Sequence, residues 1–325
     1  PGWSRGAARR VAAVIMVGET ARSANFSLGG YPRETNPRLA AEDGLVYFPQ
    51  VTACGTSTAT SLPCMFSDLG HAGYDGDRAR ARDNLLDVLR RAGLQVVWLD
   101  NNSGCKGICG RIGEQRPERE PDPGLCGADG CYDEILLRDL KRRLDDARGD
   151  IVIVLHQRGS HGPGYHLRYP QGFERFTPVC RQVEFDQCSP ESVVNAYDNT
   201  LLYTDHVIAS AIDLLRVYQD RFDTALLYVS DHGESLGALG LYLHGLPWAI
   251  APKTQKQVPM IAWLSRPLAE RFRIDLSCVE ARRGLSLSHD NLFHSVLGLL
   301  DVTTRARDEA LDIFAPCRRP AAGRS

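Results

Sequence analysis

The sequence predicts an α/β fold in which a mostly parallel central sheet is flanked by helices on both faces. Five apolar segments of strand length lie along the 325 residues, and most of them are continuous rather than alternating. Continuous apolar runs are typical of strands that are covered on both faces. Helix-like segments lie between these strands, and this alternation favours a doubly wound α/β sandwich.

The predicted elements follow one another along the chain without a linker or a low-complexity segment. The predicted strands lie at 11–17, 95–99, 151–155, 225–229 and 258–264. The helix-like segments have apolar residues at three- and four-residue spacing or end on a glycine, and they lie at 77–93, 133–149 and 192–220. We therefore expect residues 1–325 to form a single domain with long loops at 101–131 and 160–190.

The composition argues against a nucleic-acid-binding or membrane-spanning chain. The formal net charge is -2 and the basic residues are scattered, so the chain has no general attraction to nucleic acid. No apolar run approaches the ~20 residues that cross a bilayer. The first residues contain neither a methionine nor an apolar signal segment, so we expect a processed or truncated product, and we expect it to be a monomer.

Ten cysteines predict disulfide bonds and an oxidising compartment. The first eight fall into close pairs, and each pair brackets a polar or turn-rich segment: 54 with 64, 105 with 109, 126 with 131, and 180 with 188. Cys278 and Cys317 are paired by elimination. A zinc site is the alternative, but none of the close pairs has the C-x₂-C spacing that structural zinc sites favour.

Polar residues follow the first four predicted strands. Glu19 follows the first strand, Asn102 follows closely after the second, His156 follows the third, and the pair Asp231 and His232 follows the fourth. In open α/β sheets the ligand site lies outside the carboxyl ends of the strands, so these side chains should converge. Carboxylates and imidazoles together are typical ligands of zinc or another divalent transition metal. A carboxylate that only caps the next helix is the alternative for each residue taken singly.

A segment rich in hydroxyl groups, residues 52–67, enters a predicted helix just after Gly55. The amino end of a helix offers free N–H groups and a positive dipole end, which suits a phosphate carried by a nearby hydroxyl. A divalent metal lowers the pKa of a hydroxyl bound to it and so favours nucleophilic attack. A Ser/Thr-rich helix cap is the alternative, and spacing alone does not choose among Thr56, Ser57, Thr58 and Thr60.

Eight motifs occur in order over about residues 11–263: "GETARSANFSLGGYPRETNP", "CGTSTATSLPCMFS", "DNNSGCKG", "HQRGSHGPGYHLRYP", "FTPVC", "NAYDNTLLYTD", "YVSDHGESLG" and "YLHGLP". Together they resemble the catalytic domain of lipid A phosphoethanolamine transferases. This family belongs to the alkaline-phosphatase-like superfamily and includes the mobile colistin-resistance enzymes. The resemblance implies an alkaline-phosphatase/sulfatase-like sandwich.

The resemblance also implies a metal site and a nucleophile. It implies one tightly bound zinc held by Glu19, Thr58, Asp231 and His232, with Thr58 chosen as nucleophile by the register of "CGTST". The catalytic histidines implied to flank the substrate phosphate are His161 and His244, where a second zinc binds in some members.

Further positions are implied to bind the substrate. Asn102, Ser103 and Lys106 match positions that contact the phosphoethanolamine group, and His156 and Glu234 match further motif positions that we also assign to the substrate site. The motif "NNSGCKGIC" departs from the family because two cysteines flank Lys106. We expect His206 and His289 to be exposed helix or cap residues instead.

The function implied by the resemblance is the transfer of phosphoethanolamine from phosphatidylethanolamine to a phosphate of lipid A. The reaction would pass through a covalent intermediate on Thr58 and confer resistance to polymyxin and colistin. The implied location is the periplasmic face of the Gram-negative inner membrane, to which a missing N-terminal membrane domain would attach the chain.

Three alternatives remain at this point. A phosphoglycerol transferase or a phosphodiesterase of the same superfamily would share the threonine and the zinc, and a non-catalytic periplasmic lipid-binding module would share only the polar strand ends. A sulfatase needs a C/S-x-P-x-R motif, which the sequence lacks. Measuring the metal content and the hydrolysis of a phosphoethanolamine ester would distinguish among these alternatives.

Overall fold

A computed structural model describes residue 2, residues 9–116 and residues 124–320. Part of the predicted loop 101–131 and both ends of the predicted domain 1–325 lie outside these residues. Within the described part, the chain forms strands and helices in alternation, as the sequence predicts. No helix there is long and apolar enough to cross a membrane.

The strands include all five predicted ones. Their bounds are β1 Arg10–Gly18, β2 Leu45–Thr52, β3 Gln95–Asp100, β4 Glu114–Gln115, β5 Cys126–Gly127, β6 Gly130–Cys131, β7 Ile151–His156, β8 Phe222–Ser230, β9 Ser235–Leu236, β10 Tyr242–Leu243, β11 Gln257–Leu264 and β12 Leu287–Ser288.

The α-helices lie between these strands. Their bounds are α1 Pro37–Ala40, α2 Thr58–Met65, α3 Gly70–Gly73, α4 Gly76–Arg80, α5 Leu85–Arg91, α6 Glu134–Asp146, α7 Pro190–Val217, α8 Lys253–Lys256, α9 Arg266–Arg271, α10 Leu276–Ala281 and α11 Asp290–Leu299.

The helix-like segment 77–93 is two helices rather than one. Asn84 starts α5 with a capping box, because its side chain accepts hydrogen bonds from the backbone N–H groups of Leu86 and Asp87. The Asp87 side chain in turn accepts from the N–H of Asn84. A cap of this kind begins a new helix, so α4 ends before it.

Eight strands form the central sheet in the order β12-β2-β11-β8-β1-β7-β3-β4. All neighbouring pairs are parallel except those of β11, which is antiparallel to both β2 and β8. Seven strands therefore run in one direction, and the carboxyl ends of β1, β2, β3, β7 and β8 lie at one edge of the sheet. The predicted mostly parallel sheet with flanking helices is confirmed.

Strand β2 is missing from the sequence prediction. Pro49 interrupts the strand pattern, and a proline in a run normally argues against a strand inside a sheet. The structure accommodates it at a β-bulge, because the register between β2 and β11 shifts between Val258 and Met260. Pro259 lies opposite the bulge, so neither proline needs to donate a ladder hydrogen bond there.

The core lies in two layers, one on each face of the sheet. Alternate residues of β1 point to opposite faces, so Ile15 packs with residues of α2, α5 and α11 while Met16 packs with residues of α6 and α7. All five predicted disulfides are formed, including the pair of Cys278 and Cys317 that rested on elimination. Two of them, 54–64 and 105–109, lock loops beside the edge where the strands end.

Candidate active site

The polar residues that follow the parallel strands converge at one edge of the sheet. Glu19 comes directly after β1, and Asp231 and His232 come directly after β8, the neighbour of β1. All three side chains are fully buried. Strand β2 leads through the loop at 53–57 to Thr58, which begins α2. The convergence that parallel strands predict is therefore present.

Glu19, Asp231 and His232 form a compact group. One ligand atom from each of the three lies within 4.8 Å of the other two. His232 Nε2 lies 3.1 Å from Glu19 Oε1 and 3.5 Å from Asp231 Oδ2. These are two carboxylates and an imidazole, the oxygen and nitrogen donors that zinc binds.

The ligand atoms that these side chains direct at one another fit a divalent cation. Asp231 Oδ2 is buried and has no hydrogen-bond partner among the described residues. His232 Nδ1 lies 2.9 Å from the carbonyl oxygen of Gly233 and must donate to it, which leaves Nε2 directed at the two carboxylates. A buried carboxylate oxygen without a partner is costly, so a metal ion at this point would satisfy it. The residues present therefore fit a zinc ion.

Electrostatics among these three side chains lead to the same conclusion. Burial would raise the pKa of Glu19, but the hydrogen bond and charge of His232 outweigh it and hold that pKa below its ordinary value. Burial, followed by the charge of Glu19, raises the pKa of Asp231 to about 6. Burial opposes a charged imidazole, yet Asp231 and Glu19 raise the pKa of His232 to about 10. The two carboxylates thus favour a positive charge on the neighbouring imidazole, and a metal cation at this point would supply the same charge.

Thr20 holds the two carboxylates in place. Its hydroxyl donates to Glu19 Oε1 at 2.6 Å, and its backbone N–H donates to Asp231 Oδ1 at 3.2 Å. To do so it adopts a φ of +61°, which is a strained conformation for a β-branched residue. The Tyr197 hydroxyl stabilises it by donating to its carbonyl at 2.8 Å. Such strain is typically stored where a site requires it.

The backbone approaches closely at two glycines next to these ligands. A Cβ on Gly159 would lie 2.6 Å from the carbonyl oxygen of Glu19. A Cβ on Gly233 would collide with the carbonyl oxygen of Thr254. Both positions therefore require glycine.

Thr58 is the first residue of α2 and lies against the ligand group. Its Oγ1 lies 2.9 Å from Glu19 Oε2, to which it donates, and 3.4 Å from His232 Nε2. Ser57 precedes the helix in an extended conformation, and its side chain does not cap the helix. The first N–H groups of α2 are thus available to an anion bound to Thr58 Oγ1.

The hydroxyl groups of Thr56, Ser57 and Thr60 make other contacts. The hydroxyl of Thr56 donates to the carbonyl of Leu246, and those of Ser57 and Thr60 lie 3.4 Å apart. Of the four candidate hydroxyls, the one that donates to Glu19 is that of Thr58.

The loop after β3 contributes Asn102 to the site. Its Nδ2 donates to Glu19 Oε2 at 2.7 Å and to the carbonyl of Gln157 at 2.9 Å. Ser103 and Lys106 lie farther out. Lys106 Nζ donates to the carbonyl and to the hydroxyl of Ser103, in a turn closed by the disulfide between Cys105 and Cys109. Lys106 lines a cavity together with Ala59 and Pro63 of α2, and its hydrogen bonds go to Ser103.

His161 and His244 lie on the open side of the ligand group. The ring of His244 is 4.3 Å from the ring of His232 and 5.6 Å from that of His161, measured between ring centroids. Glu234, fully buried, lies 3.3 Å from His244 Nδ1 and accepts from the Tyr165 hydroxyl at 2.9 Å. Glu234 therefore orients His244. Burial lowers the pKa of His161, which favours its neutral form near pH 7.

His156 lies behind the site rather than in its mouth. It is the last residue of β7 and is fully buried. Its Nδ1 lies 2.7 Å from Asp100 Oδ2. Its ring packs edge-on against Trp98, whose indole N–H donates to the same carboxylate oxygen. These contacts hold the ends of β3 and β7 together below the site.

Several residues with roles at this edge were not predicted. The roles of Thr20 and Tyr165 depend on tertiary contacts that the sequence does not show. Arg168 donates through Nε to the carbonyl oxygen of His161 at 2.6 Å. His289 is fully buried, contrary to the expectation that it is exposed, although it does precede α11 as a cap residue would. His206 is partly exposed and lies 3.0 Å from Glu134.

Comparison with known proteins places the chain in a family. The Sulfatase family model matches residues 12–302. Phosphoethanolamine transferase EptA of Salmonella typhimurium is 51% identical over 312 residues, which cover 96% of this chain and 57% of that protein. Phosphatidylethanolamine transferase Mcr-2 of Escherichia coli is 43% identical over 305 residues, which cover 91% and 55%. The chain thus spans somewhat more than half the length of these curated relatives.

A solved structure agrees over nearly its whole length. The soluble domain of lipooligosaccharide phosphoethanolamine transferase A from Neisseria meningitidis is 44% identical and superposes with a TM-score of 0.94. The match covers 98% of this chain and 96% of that one. Fold, motifs and overall sequence therefore agree, and the chain belongs to the phosphoethanolamine transferase family.

Proposed function

We propose that this chain is the catalytic part of an enzyme that transfers phosphoethanolamine from phosphatidylethanolamine to a phosphate of lipid A. The observation that carries the proposal is the position of Thr58. Its hydroxyl is 2.9 Å from Glu19 Oε2 at the amino end of α2, beside a group of zinc-type ligands. A hydroxyl next to a metal site and a helix amino end suits a nucleophile that carries a phosphoryl group.

Glu19, Asp231, His232 and Thr58 would hold the zinc. When bound, zinc would lower the pKa of the Thr58 hydroxyl and offset negative charge on the phosphoryl oxygens. The hydrogen bonds of Thr20 and Asn102 to Glu19 keep its carboxylate directed at that point. A second zinc near His161 and His244 stays a prediction.

In the first step, Thr58 Oγ1 attacks the phosphorus of phosphatidylethanolamine. The bond from phosphorus to the glycerol oxygen breaks, and phosphoethanolamine remains on Thr58. The proton lost by Thr58 is matched by the proton gained by the glycerol oxygen, so diacylglycerol leaves as a neutral alcohol. Glu19 Oε2 accepts the Thr58 hydrogen bond and so orients the oxygen for attack.

In the second step, an oxygen of the acceptor phosphate attacks the same phosphorus and the bond to Thr58 breaks. Thr58 regains its proton. Because burial lowers the pKa of His161, its neutral imidazole is suited to accept the proton of the acceptor phosphate near pH 7. Splitting the reaction in this way lets two bulky lipids react without occupying the site together.

The wider setting follows from the same proposal. Asn102, Ser103, Lys106 and Glu234 would line or support the phosphoethanolamine site, and His156 would support it from behind. We propose a monomer on the periplasmic face of the Gram-negative inner membrane, attached through a membrane domain, with colistin resistance as the cellular effect. The five disulfides support an oxidising location.

Lipid A from cells that express a membrane-attached form tests the proposal. Mass spectrometry should find lipid A with one or more added phosphoethanolamine groups, and the strain should tolerate more colistin. The Thr58→Ala form should give neither change. Added phosphoglycerol would favour the phosphoglycerol transferase alternative instead, and unmodified lipid A with normally folded protein would contradict the proposal.

A further inference from the structure

A polar cavity of about 470 Å³ opens beside His161. Its walls are the loop after β3, the hairpin of β5 and β6, and two arginines, Arg158 and Arg168. Asn102 and Ser103, which we assign to the phosphoethanolamine site, also line it, so the cavity adjoins that site on the side where Asn102 donates to Glu19. It is large enough for a phosphorylated sugar.

The two guanidinium groups carry charge that no described carboxylate neutralises at ion-pair distance. Arg168 Nε donates to the carbonyl of His161 at 2.6 Å, but its Nη1 is buried and has no partner among the described residues. Burial, followed by the charge of Arg158, lowers the pKa of Arg168 to about 10, although the charges of Asp133, Asp129 and Glu19 act in the opposite direction. Unpaired buried N–H groups of this kind favour an anionic acceptor.

Arg158 is held over the cavity by the hairpin. It donates through Nη1 to the carbonyl of Asp129, and a Cβ on Gly130 would collide with the guanidinium. Gly130 has a φ of +103°, so glycine serves both the turn and the approach of the arginine. Asp129 is the acidic residue of the lining, and it is exposed. The lining therefore has a net positive charge.

The sign of this charge separates the two substrates of the proposed reaction. A phosphoethanolamine diester carries one negative phosphate and one positive ammonium group, so it has no net charge to attract two arginines. A phosphate monoester on a sugar has no ammonium group, and its oxygens suit the paired donors of guanidinium groups. We propose that the cavity lined by Arg158 and Arg168 binds the phosphate of the acceptor and presents it beside His161. This inference rests on the proposed function and adds the residues that recognise the second substrate.

The two half-reactions test this assignment with the zinc-loaded chain. Donor cleavage is followed by release of diacylglycerol from phosphatidylethanolamine in detergent micelles, and the acceptor step by the loss of the Thr58 adduct as lipid A is added. For Arg158→Gln we expect the lipid A concentration at half-maximal rate to rise by about tenfold or more, because a charge-assisted hydrogen bond is lost. Arg168→Lys, which keeps the charge but loses the paired donors, should shift it in the same direction.

A matched control uses Arg266, which is 87% exposed and pairs with Glu270 on the surface. Arg266→Gln should leave both half-reactions unchanged. If Arg158→Gln and Arg168→Lys discharge the adduct like the wild type, or slow donor cleavage as much as the acceptor step, the inference is wrong. If the wild type releases no diacylglycerol and forms no adduct, the proposed function fails instead.

Soluble probes identify the ligand chemistry. Glucose 1-phosphate should bind the zinc-loaded wild type and bind Arg158→Gln about tenfold or more weakly. Glucose without phosphate should not bind. Inorganic phosphate that binds as tightly as glucose 1-phosphate, with the same loss in Arg158→Gln, would make the cavity a site for free phosphate and overturn the assignment to the acceptor.

Discussion

His289 joins the loop before the nucleophile to the end of β8, and replacing it tests how the site is held together. Its Nδ1 accepts from the backbone N–H of Cys54 at 3.0 Å, and its Nε2 donates to the carbonyl of Ser230 at 2.9 Å. Ser230 precedes Asp231, and Cys54 begins the loop that leads to Thr58. One buried imidazole thus connects the loop before the proposed nucleophile with the end of β8, directly before the two proposed metal ligands Asp231 and His232.

Two variants separate the hydrogen bonds from the charge. His289→Ala leaves a buried N–H and a buried carbonyl without partners, and each costs roughly 1–3 kcal/mol, so we expect the free energy of unfolding to fall by about 3–5 kcal/mol at pH 7.5. His289→Gln offers one acceptor and one donor on a neutral side chain. It should lose much less stability at that pH.

The dependence on pH has a definite sign. Burial lowers the pKa of His289 to about 4, below the ordinary value of 6.5. The folded state therefore keeps the imidazole neutral, and the stability that this group contributes is complete above pH 6.5 and is lost as the pH falls toward 4. At about 1.4 kcal/mol per pKa unit, the loss in the wild type is about 3 kcal/mol by pH 4.

Chemical unfolding followed by tryptophan fluorescence measures this directly. The wild type and His289→Gln should be compared at pH 7.5 and pH 4, both with chelator so that metal binding does not contribute. The Gln variant should gain about 3 kcal/mol relative to the wild type between the two pH values. Equal changes in both proteins would show that His289 does not titrate as its burial requires, and a stable His289→Ala would refute the bridging role.

Other predictions concern the metal, the general base, the thiols and the outer loop. Glu19→Ala should lower zinc affinity by more than about tenfold, measured by elemental analysis after dialysis. Full zinc content in this variant would mean that the Glu19 carboxylate only caps the following segment. His161→Ala should keep the zinc but transfer phosphoethanolamine more slowly; loss of zinc would assign it to the metal instead. Thiol titration of the denatured, unreduced chain should find no free cysteine, because all ten are paired, and several reactive thiols would contradict the oxidising location. Lys106→Ala should raise KM for the donor more than it lowers kcat; an unchanged KM would place Lys106 outside the donor site.

The site could be predicted from sequence where it depends on strand direction. Parallel strands bring their carboxyl ends to one edge, so Glu19 and the pair Asp231 and His232 were expected at that edge. Their direct contact depends on the pairing of β1 with β8, which the structure shows. The five disulfides were similarly predictable, because each of the first four pairs closes a short loop. The choice of Thr58 among its neighbours required the family resemblance, since spacing does not distinguish one hydroxyl from the next.

The remaining features depend on tertiary contacts that leave no local pattern. Pro49 argues against a strand at β2 when only the sequence is considered. The structure tolerates this proline because a β-bulge lies there, with Pro259 opposite it on β11. His289 follows a short strand with polar neighbours, and only the fold shows that Cys54 and Ser230 lie on either side of it. Thr20 has a left-handed backbone that no propensity predicts for threonine. In each case, distant residues decide the local conformation.

The covalent intermediate on Thr58 is the central claim, and peptide mass spectrometry tests it most directly. The zinc-loaded chain is incubated with phosphatidylethanolamine without an acceptor, digested, and the peptide that contains Thr58 is fragmented. We expect phosphoethanolamine on Thr58, its disappearance when lipid A is added before digestion, and no adduct in Thr58→Ala. An adduct on Thr56 or Ser57, or normal transfer by Thr58→Ala, would contradict the claim.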